Sequence, residues 1–451
     1  MRIAVIGSGI AGLAAAYRLR HQATVTLFEQ GAHFGGHAHT VDLSLPREVR
    51  PSRGEAATVT HGVDTGFLVF NERTYPGLIK LFEQLGVQSA KSEMSFSVQV
   101  PMPDGRSRLE WSGTNLDTLF AQRRNLVDPG FLRMLADLLR FNSCCQRIAQ
   151  ARLEAELSQP LFDFLKQQRF SDEFRDWYLL PMLGCIWSCP TDQMLEFPVA
   201  TMIQFCDNHG LIQIRNRPQW LTVAGGSRNY VDRIASGIPD KRLNSGVRRI
   251  ERRRDGVRVL ADHSDENFDH VIVATHSDQA LDLLADAGPT ERELLGAIRY
   301  QRNRAVLHTD ASVLPTRKKA WAAWNYERAG GNDDRGAAVC LHYLINRLQP
   351  LPFEQPVLVS LNPLRPIDSS RVHGEFDVAH PVFDLAAVQA QRRMSEIQGL
   401  RRTWFAGAWM GWGFHEDGFQ SGVKAAEGVL RVGKAPAPAV PESREFETAA
   451  A

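Results

Sequence analysis

The chain has 451 residues, 43% of them hydrophobic, and a formal net charge of +1. That length supports a large core and two structural domains, and the balanced charge excludes a global pull towards nucleic acid or acidic partners. No run approaches the roughly twenty apolar residues of a membrane span, and a first strand beginning at residue 2 is expected to leave no room for a signal peptide, so the expected compartment is the cytoplasm.

Ile3 to Ile6 read as a buried parallel strand, followed by Gly7-Ser-Gly9-Ile10-Ala11-Gly12. In this spacing Gly7 makes a tight turn, Gly9 lets the backbone approach a pyrophosphate and Gly12 packs the next helix closely. Thr24 to Phe28 read as a second strand ending at Glu29 and Gln30, where a carboxylate can accept hydrogen bonds from ribose hydroxyls. Strand, glycines, helix, strand and terminal acid in register predict a dinucleotide site. Gly35-Gly36 form a second glycine-rich turn that would bring further N–H groups to the phosphates. His37 and His39 are each readable as cofactor contacts or as hydrogen-bonding supports. Asp64-Thr65-Gly66 is readable as a turn against the cofactor or as a plain strand end.

Apolar spacing predicts helices over Leu132 to Leu139, Arg147 to Leu157 and Leu161 to Gln168, with Ser171 capping a further one. Strand character returns at Arg242 to Arg249, Gly256 to Ala261 and His270 to Thr275, then at Ala337 to Leu344 and Val357 to Leu361, the last two expected to roof the cofactor. Arg248 to Arg254 and Arg317-Lys318-Lys319 are basic runs, read as solvated surface or as contacts to anionic lipid headgroups. The six cysteines, Cys144, Cys145, Cys185, Cys189, Cys206 and Cys340, lack a convincing metal spacing and read as structural thiols.

Near the far end, Thr403 to Phe405 is a short apolar strand, followed by a loop carrying Gly407, Trp409 and Trp412. His415, Glu416 and Asp417 then open a helix of small residues that includes Phe419; Glu416, Asp417 and Phe419 are read as cofactor contacts, with an acid there equally readable as a helix cap. Such a helix could aim its N-terminus at a flavin ring and stabilise negative charge there. This points to FAD rather than NAD. Residues from about 433 onward, rich in Ala and Pro, read as a disordered tail.

The opening, Gly35-Gly36, Val223-Ala-Gly225-Gly226-Ser227 and the closing motif together resemble the flavin-containing amine oxidase superfamily, which includes phytoene desaturases and protoporphyrinogen oxidases. Asn216 to Trp220, Ala274-Thr-His276, Asn303 to His308, Trp324-Asn-Tyr326 and Gly413 to Gly418 are similar to a bacterial branch of FAD-dependent oxidoreductases and to the flavin domain of plant cyclopropane fatty acid synthases. The resemblance implies an α/β fold. Residues 1–90, 215–285 and 395–432 would form a discontinuous Rossmann-like FAD-binding domain of the glutathione reductase/amine oxidase type. Residues 91–214 and 286–394 would form an α+β substrate domain. It also implies that the backbone of Val247 holds the adenine, and that Trp409, Trp412 and Tyr343 wall the substrate beside His415. Two departures stand out: His37 replaces the arginine usual after the glycine pair, and no cysteine lies in the closing motif, so FAD is expected to be non-covalent. The expected reaction is removal of two hydrogens from an apolar substrate, a fatty acyl chain of a phospholipid. The alternatives are a flavin amine oxidase releasing hydrogen peroxide, and a non-catalytic flavoprotein partner of a lipid methyltransferase. Peripheral contact with the inner membrane surface is expected; nucleic acid and metal are not.

Overall fold

The computed structural model describes residues 1–46, 58–102, 107–151, 159–208, 218–328 and 339–434. Its first sheet is parallel and five-stranded, in the order Asp240–Arg242, Thr24–Phe28, Arg2–Ile6, His270–Val273 and Thr403–Phe405. Three distant stretches of chain therefore meet in one layer. The central strand is apolar at every position from Ile3 to Ile6 and fully covered, as a parallel strand between helices requires. Helix Ile10–Leu19 packs against the last helix, His415–Lys434, across small residues. A Cβ at Gly422 would lie 2.0 Å from the Ala11 carbonyl oxygen, and one at Gly418 would lie 2.7 Å from Ile10 Cγ2.

A second sheet of seven strands runs Val372–Val382, Arg299–His308, Leu358–Leu361, Cys340–Leu344, Trp324–Glu327, Phe96–Pro101 and Arg108–Ser112. Strand alternation separates its faces. Phe96, Trp324 and Tyr343 stand in register on one face, while Ser97, Asn325, His342 and Ser360 stand in register on the other. The polar face is buried and internally bonded: Asp310 N–H donates to His308 Nδ1 at 3.1 Å, and Ser360 Oγ lies 2.7 Å from both His308 Nε2 and His342 Nδ1. This order leaves a proton on His342 Nε2, which faces Glu327 Oε2 at 3.1 Å. That proton occupies the lone pair a metal ion would need, so the Glu327, Cys340 and His342 group reads as a hydrogen-bonded core.

Several local expectations change. The two helices expected within 132–157 are one continuous helix, Pro129–Ala151, with 152–158 outside the described residues. Ser171 does cap, its side chain accepting from Phe174 N–H. The basic run at 248–254 is tied into its own hairpin and neighbours: Arg248 to Asp262, Arg253 to Glu251, and buried Arg252 to Asp286 and Glu291. All six cysteines are free. Residues 433 and 434 complete the last helix, and the rest of the expected tail, 435–451, lies outside the described residues. Among the described residues no helix is long and apolar enough to cross a membrane.

Candidate active site

A single cavity of about 1640 Å³ runs from the glycine loop at the carboxyl end of the parallel sheet to the helical region around residue 139. At the first end it is lined by Gly7, Gly9, Ile10, Ala11, Glu29, Gln30, Gly36, His37, Val247 and Gly407. Gly7 takes φ +95°, and a Cβ there would lie 2.7 Å from the Ala274 carbonyl oxygen. Gly12 is off the cavity wall, and its task is packing: a Cβ would sit 1.9 Å from the Gly7 carbonyl oxygen. Gly9 differs from both, since a Cβ there meets nothing within 4 Å while the residue faces the cavity. The space beside Gly9 is a cradle for a group that needs the backbone bare, as a pyrophosphate does.

Glu29 accepts from Ser8 N–H at 3.0 Å and from Gly31 N–H at 2.7 Å. Ser8 Oγ donates to Glu29 as well, at 2.5 Å, so of the about four acceptor positions on its two oxygens about one remains for a ribose hydroxyl. Gly35 corrects the reading of the glycine pair. Its N–H donates to the Ser8 carbonyl at 3.0 Å, tying the two glycine turns together, and only Gly36 faces the cavity. His37 follows on the wall with Nε2 buried and without a hydrogen-bond partner. An orphaned polar atom beside a bare glycine cradle fits a polar dinucleotide.

The middle of the cavity is surrounded by histidines that no sequence motif joins. His37, His276, His380 and His415 all line it. Burial first, then neighbouring imidazoles, lowers His37 to about 4 and both His380 and His415 to about 3. These rings line the cavity and are neutral at pH 7. Asn303 Nδ2 donates to His380 Nδ1 at 3.0 Å, and His276 stacks on Tyr300. Asp64 is a buried hub rather than a cofactor contact: it accepts from Ser227 N–H at 2.9 Å and from Gln349 Nε2 at 2.8 Å, and burial raises it to about 6. Its neighbour Gly66 lines the cavity against His37. His39 bonds Thr65 Oγ1 through Nδ1 at 2.8 Å and is not on the wall.

The closing motif divides its work differently from the sequence reading. Trp409 lines the cavity and is anchored by Nε1 donating to the Thr275 carbonyl at 3.0 Å. Trp412 is off the wall and packs against the core. Glu416 does not reach the cavity, because its carboxylate accepts from Gly77 and Leu78 N–H at 2.9 Å each and so caps helix Pro76–Leu85. Asp417 turns back to accept from Phe414 N–H at 3.0 Å, and Phe419 abuts Gly77, so neither touches the cavity. Tyr343 is on the wall with Trp324, their rings edge to face at 5.0 Å.

The far arm is apolar, with Leu116, Leu119, Leu135, Leu138, Met182 and Ile186 among its lining. Its carboxylate, Glu93, is paired with Arg347 at 2.7 Å. Sequence periodicity marked parts of these helices but gave no sign that they open onto the cofactor cavity.

The flavin containing amine oxidoreductase family model matches residues 10–344. A Mycobacterium tuberculosis protein carried under the name flavin-containing monoamine oxidase AofH is 26% identical over 285 residues, which is 60% of this chain and 56% of that one. The match thus spans little more than half the length of that relative. Among solved structures, a CLA-producing fatty acid isomerase from P. acnes superposes with a TM-score of 0.61 at 17% identity, covering 95% of this chain and 98% of that one. Cyclohexylamine oxidase from Brevibacterium oxydans gives 0.61 at 17% identity, covering 96% and 99%. With the glycine cradle, the orphaned His37 nitrogen and the family match in agreement, the chain belongs to the flavin-containing amine oxidoreductase family, and FAD is the cofactor of its cavity.

Proposed function

We propose that the protein is an FAD-dependent oxidoreductase that removes two hydrogens from an apolar substrate, a fatty acyl chain. The observation that carries this reading is the far arm: leucine, methionine, isoleucine and aromatic side chains, with its carboxylate already committed to Arg347. Among the described residues of the arm a substrate ammonium would find no unpaired carboxylate. A neutral alkyl chain needs none. The fold is compatible with such a substrate, since a fatty acid isomerase shares it.

FAD supplies a hydride acceptor when bound. Gly9 and Gly36 would leave room for its phosphates, Glu29 would take the ribose, and Val247 would face the adenine. Met182, Ile186, Trp324 and Tyr343 would hold the alkyl chain in line and keep water out, which an unactivated C–H bond requires. The neutral histidines add polarity without charge. With its conjugate acid at about 3, His415 is a weak base, so its role is to wall and orient rather than to store a proton. Removal of two hydrogens would balance with one taken up by FAD as hydride and the neighbouring one leaving as a proton to a nearby base or to a water at the edge of the dry arm, forming a carbon–carbon double bond.

Anaerobic mixing with phospholipids bearing unsaturated or methyl-branched chains should bleach the flavin and yield a product lighter by two hydrogens. Bleaching by amines alone would replace this reading with an amine oxidase. No bleaching by either would leave a flavin-bound partner of a lipid methyltransferase.

A further inference from the structure

We infer that the open end of the far arm is a docking face for an anionic bilayer surface, through which the acyl chain enters the cavity. This rests on the acyl-chain reading above. Leu116 and Leu139 both line the cavity, yet they are 74% and 54% exposed, which places them at its mouth. Around them the surface is unusually apolar. Five of the twelve large hydrophobic side chains exposed among the described residues fall between 116 and 139, namely Leu116, Leu126, Val127, Leu132 and Leu139. Single exposed leucines are ordinary, but a cluster at a cavity mouth is not.

The arrangement follows from the helix. In Pro129–Ala151, Leu132, Leu135 and Leu139 are spaced by three and four and share one face. Leu135 and Leu139 line the cavity, so Leu132 continues the same stripe out onto the surface, towards Val127, which is 79% exposed. An alkyl chain leaving a bilayer along this stripe would not have to cross water.

Charge favours lipid of one sign. Residues 116–140 and 317–319, which are in contact, carry seven Arg or Lys; of these, Arg133, Arg140 and Arg317 pair with Glu173, Asp137 and Glu110. Asp117 is shared by Arg123 and Lys319. Among the described residues Arg124 and Lys318 meet no carboxylate; Lys318 instead lies over the Trp321 ring at 5.7 Å. Apolar side chains rimmed by cations suit an interface of anionic headgroups over acyl chains. The basic run at 248–254 differs in its surroundings: Arg248, Arg252 and Arg253 are likewise held by carboxylates, but among the described residues no exposed apolar cluster accompanies them.

The test is co-sedimentation of the full-length, FAD-loaded protein with phosphatidylcholine vesicles, with and without phosphatidylglycerol. Binding to the anionic vesicles should be about tenfold tighter or more and should weaken with added salt. The variant Leu126→Glu/Val127→Glu/Leu132→Glu changes exposed side chains that do not line the cavity. It should lose about tenfold or more of that binding, while keeping its flavin spectrum and its rate on substrate dispersed in detergent. Equal binding to both kinds of vesicle, or undiminished binding by the variant, would overturn the proposal. The two readings fail separately. Protein that binds anionic vesicles but is not reduced by lipid supports the docking face and removes the acyl reaction. Protein reduced by lipid in detergent that ignores vesicles removes the docking face alone.

Discussion

His415 lies flat on Phe67, with ring centroids 3.7 Å apart and planes within 11° of parallel. The first residue of the last helix is thereby fixed against a loop near the start of the chain, and both rings line the cavity. Tyr230 completes the arrangement, its hydroxyl 2.8 Å from His415 Nε2.

Tyr230→Phe removes that hydroxyl and leaves a buried imidazole nitrogen without a partner. The expected cost is about 1–3 kcal/mol of stability. Flavin should still bind, because the glycine cradle is untouched, while reduction by substrate slows as His415 loses its fixed orientation. Urea unfolding of the holoprotein and anaerobic stopped-flow absorbance check the two halves. A variant as stable as the parent would show that His415 Nε2 finds another partner.

Two glycines three residues apart, Gly9 and Gly12, should fail in different ways. Gly9→Val places its side chain in open cavity, so the protein should fold, with an ordinary circular dichroism spectrum, but purify without flavin. Gly12→Val drives Cβ into the Gly7 carbonyl and should yield little folded protein. Stoichiometric flavin in the Gly9 variant would sink the cofactor assignment at this loop.

The neutral histidines make stability depend on pH with a definite sign. His37 at about 4 and His380 and His415 at about 3 bind protons less readily folded than unfolded, where histidine titrates near 6.5. Their contribution is complete above pH 6.5 and is lost as pH falls towards 4 and 3. Asp64 and Asp417, raised by burial to about 6, act oppositely between pH 6 and 3.8. The histidine effect is therefore cleanest just below neutrality. His380→Gln should flatten the rise of unfolding free energy between pH 5 and 6.5, by an amount that approaches about 1.4 kcal/mol per pH unit, the weight of one proton, at the lower end. Urea midpoints across that range measure it, and an unchanged slope would show that His380 titrates normally.

Where chemistry is written locally, the sequence was readable. The strand Ile3–Ile6, the glycine loop and the closing strand and helix each follow from short-range periodicity and turn chemistry. The site's centre is not local. Its histidines come from positions 37, 276, 380 and 415, and the Asp64 hub joins Ser227 to Gln349, so only the closed fold brings these groups together. Glu416 and Asp417 misled for a related reason. An acidic pair at a helix start signals a ligand or a cap equally well, and what decided it was helix Pro76–Leu85 offering two bare N–H groups.

The far arm offers the most direct check on the substrate. Met182 and Ile186 are four residues apart on helix Leu180–Trp187 and both face the cavity. Met182→Trp would fill the arm without touching the glycine cradle or the histidines, so flavin should stay bound. If an acyl chain lies there, long chains should lose about tenfold or more in the rate of flavin reduction, since a misplaced C–H bond reacts far more slowly. Short chains should be spared. Trp412→Ala is the matched control: Trp412 is off the wall, so chain-length dependence should not change. Anaerobic reduction rates across a series of chain lengths read both variants. Long chains that reduce the Met182→Trp flavin as fast as the parent would mean that the substrate does not use this arm, and a small amine held near Trp409 would then be the better fit.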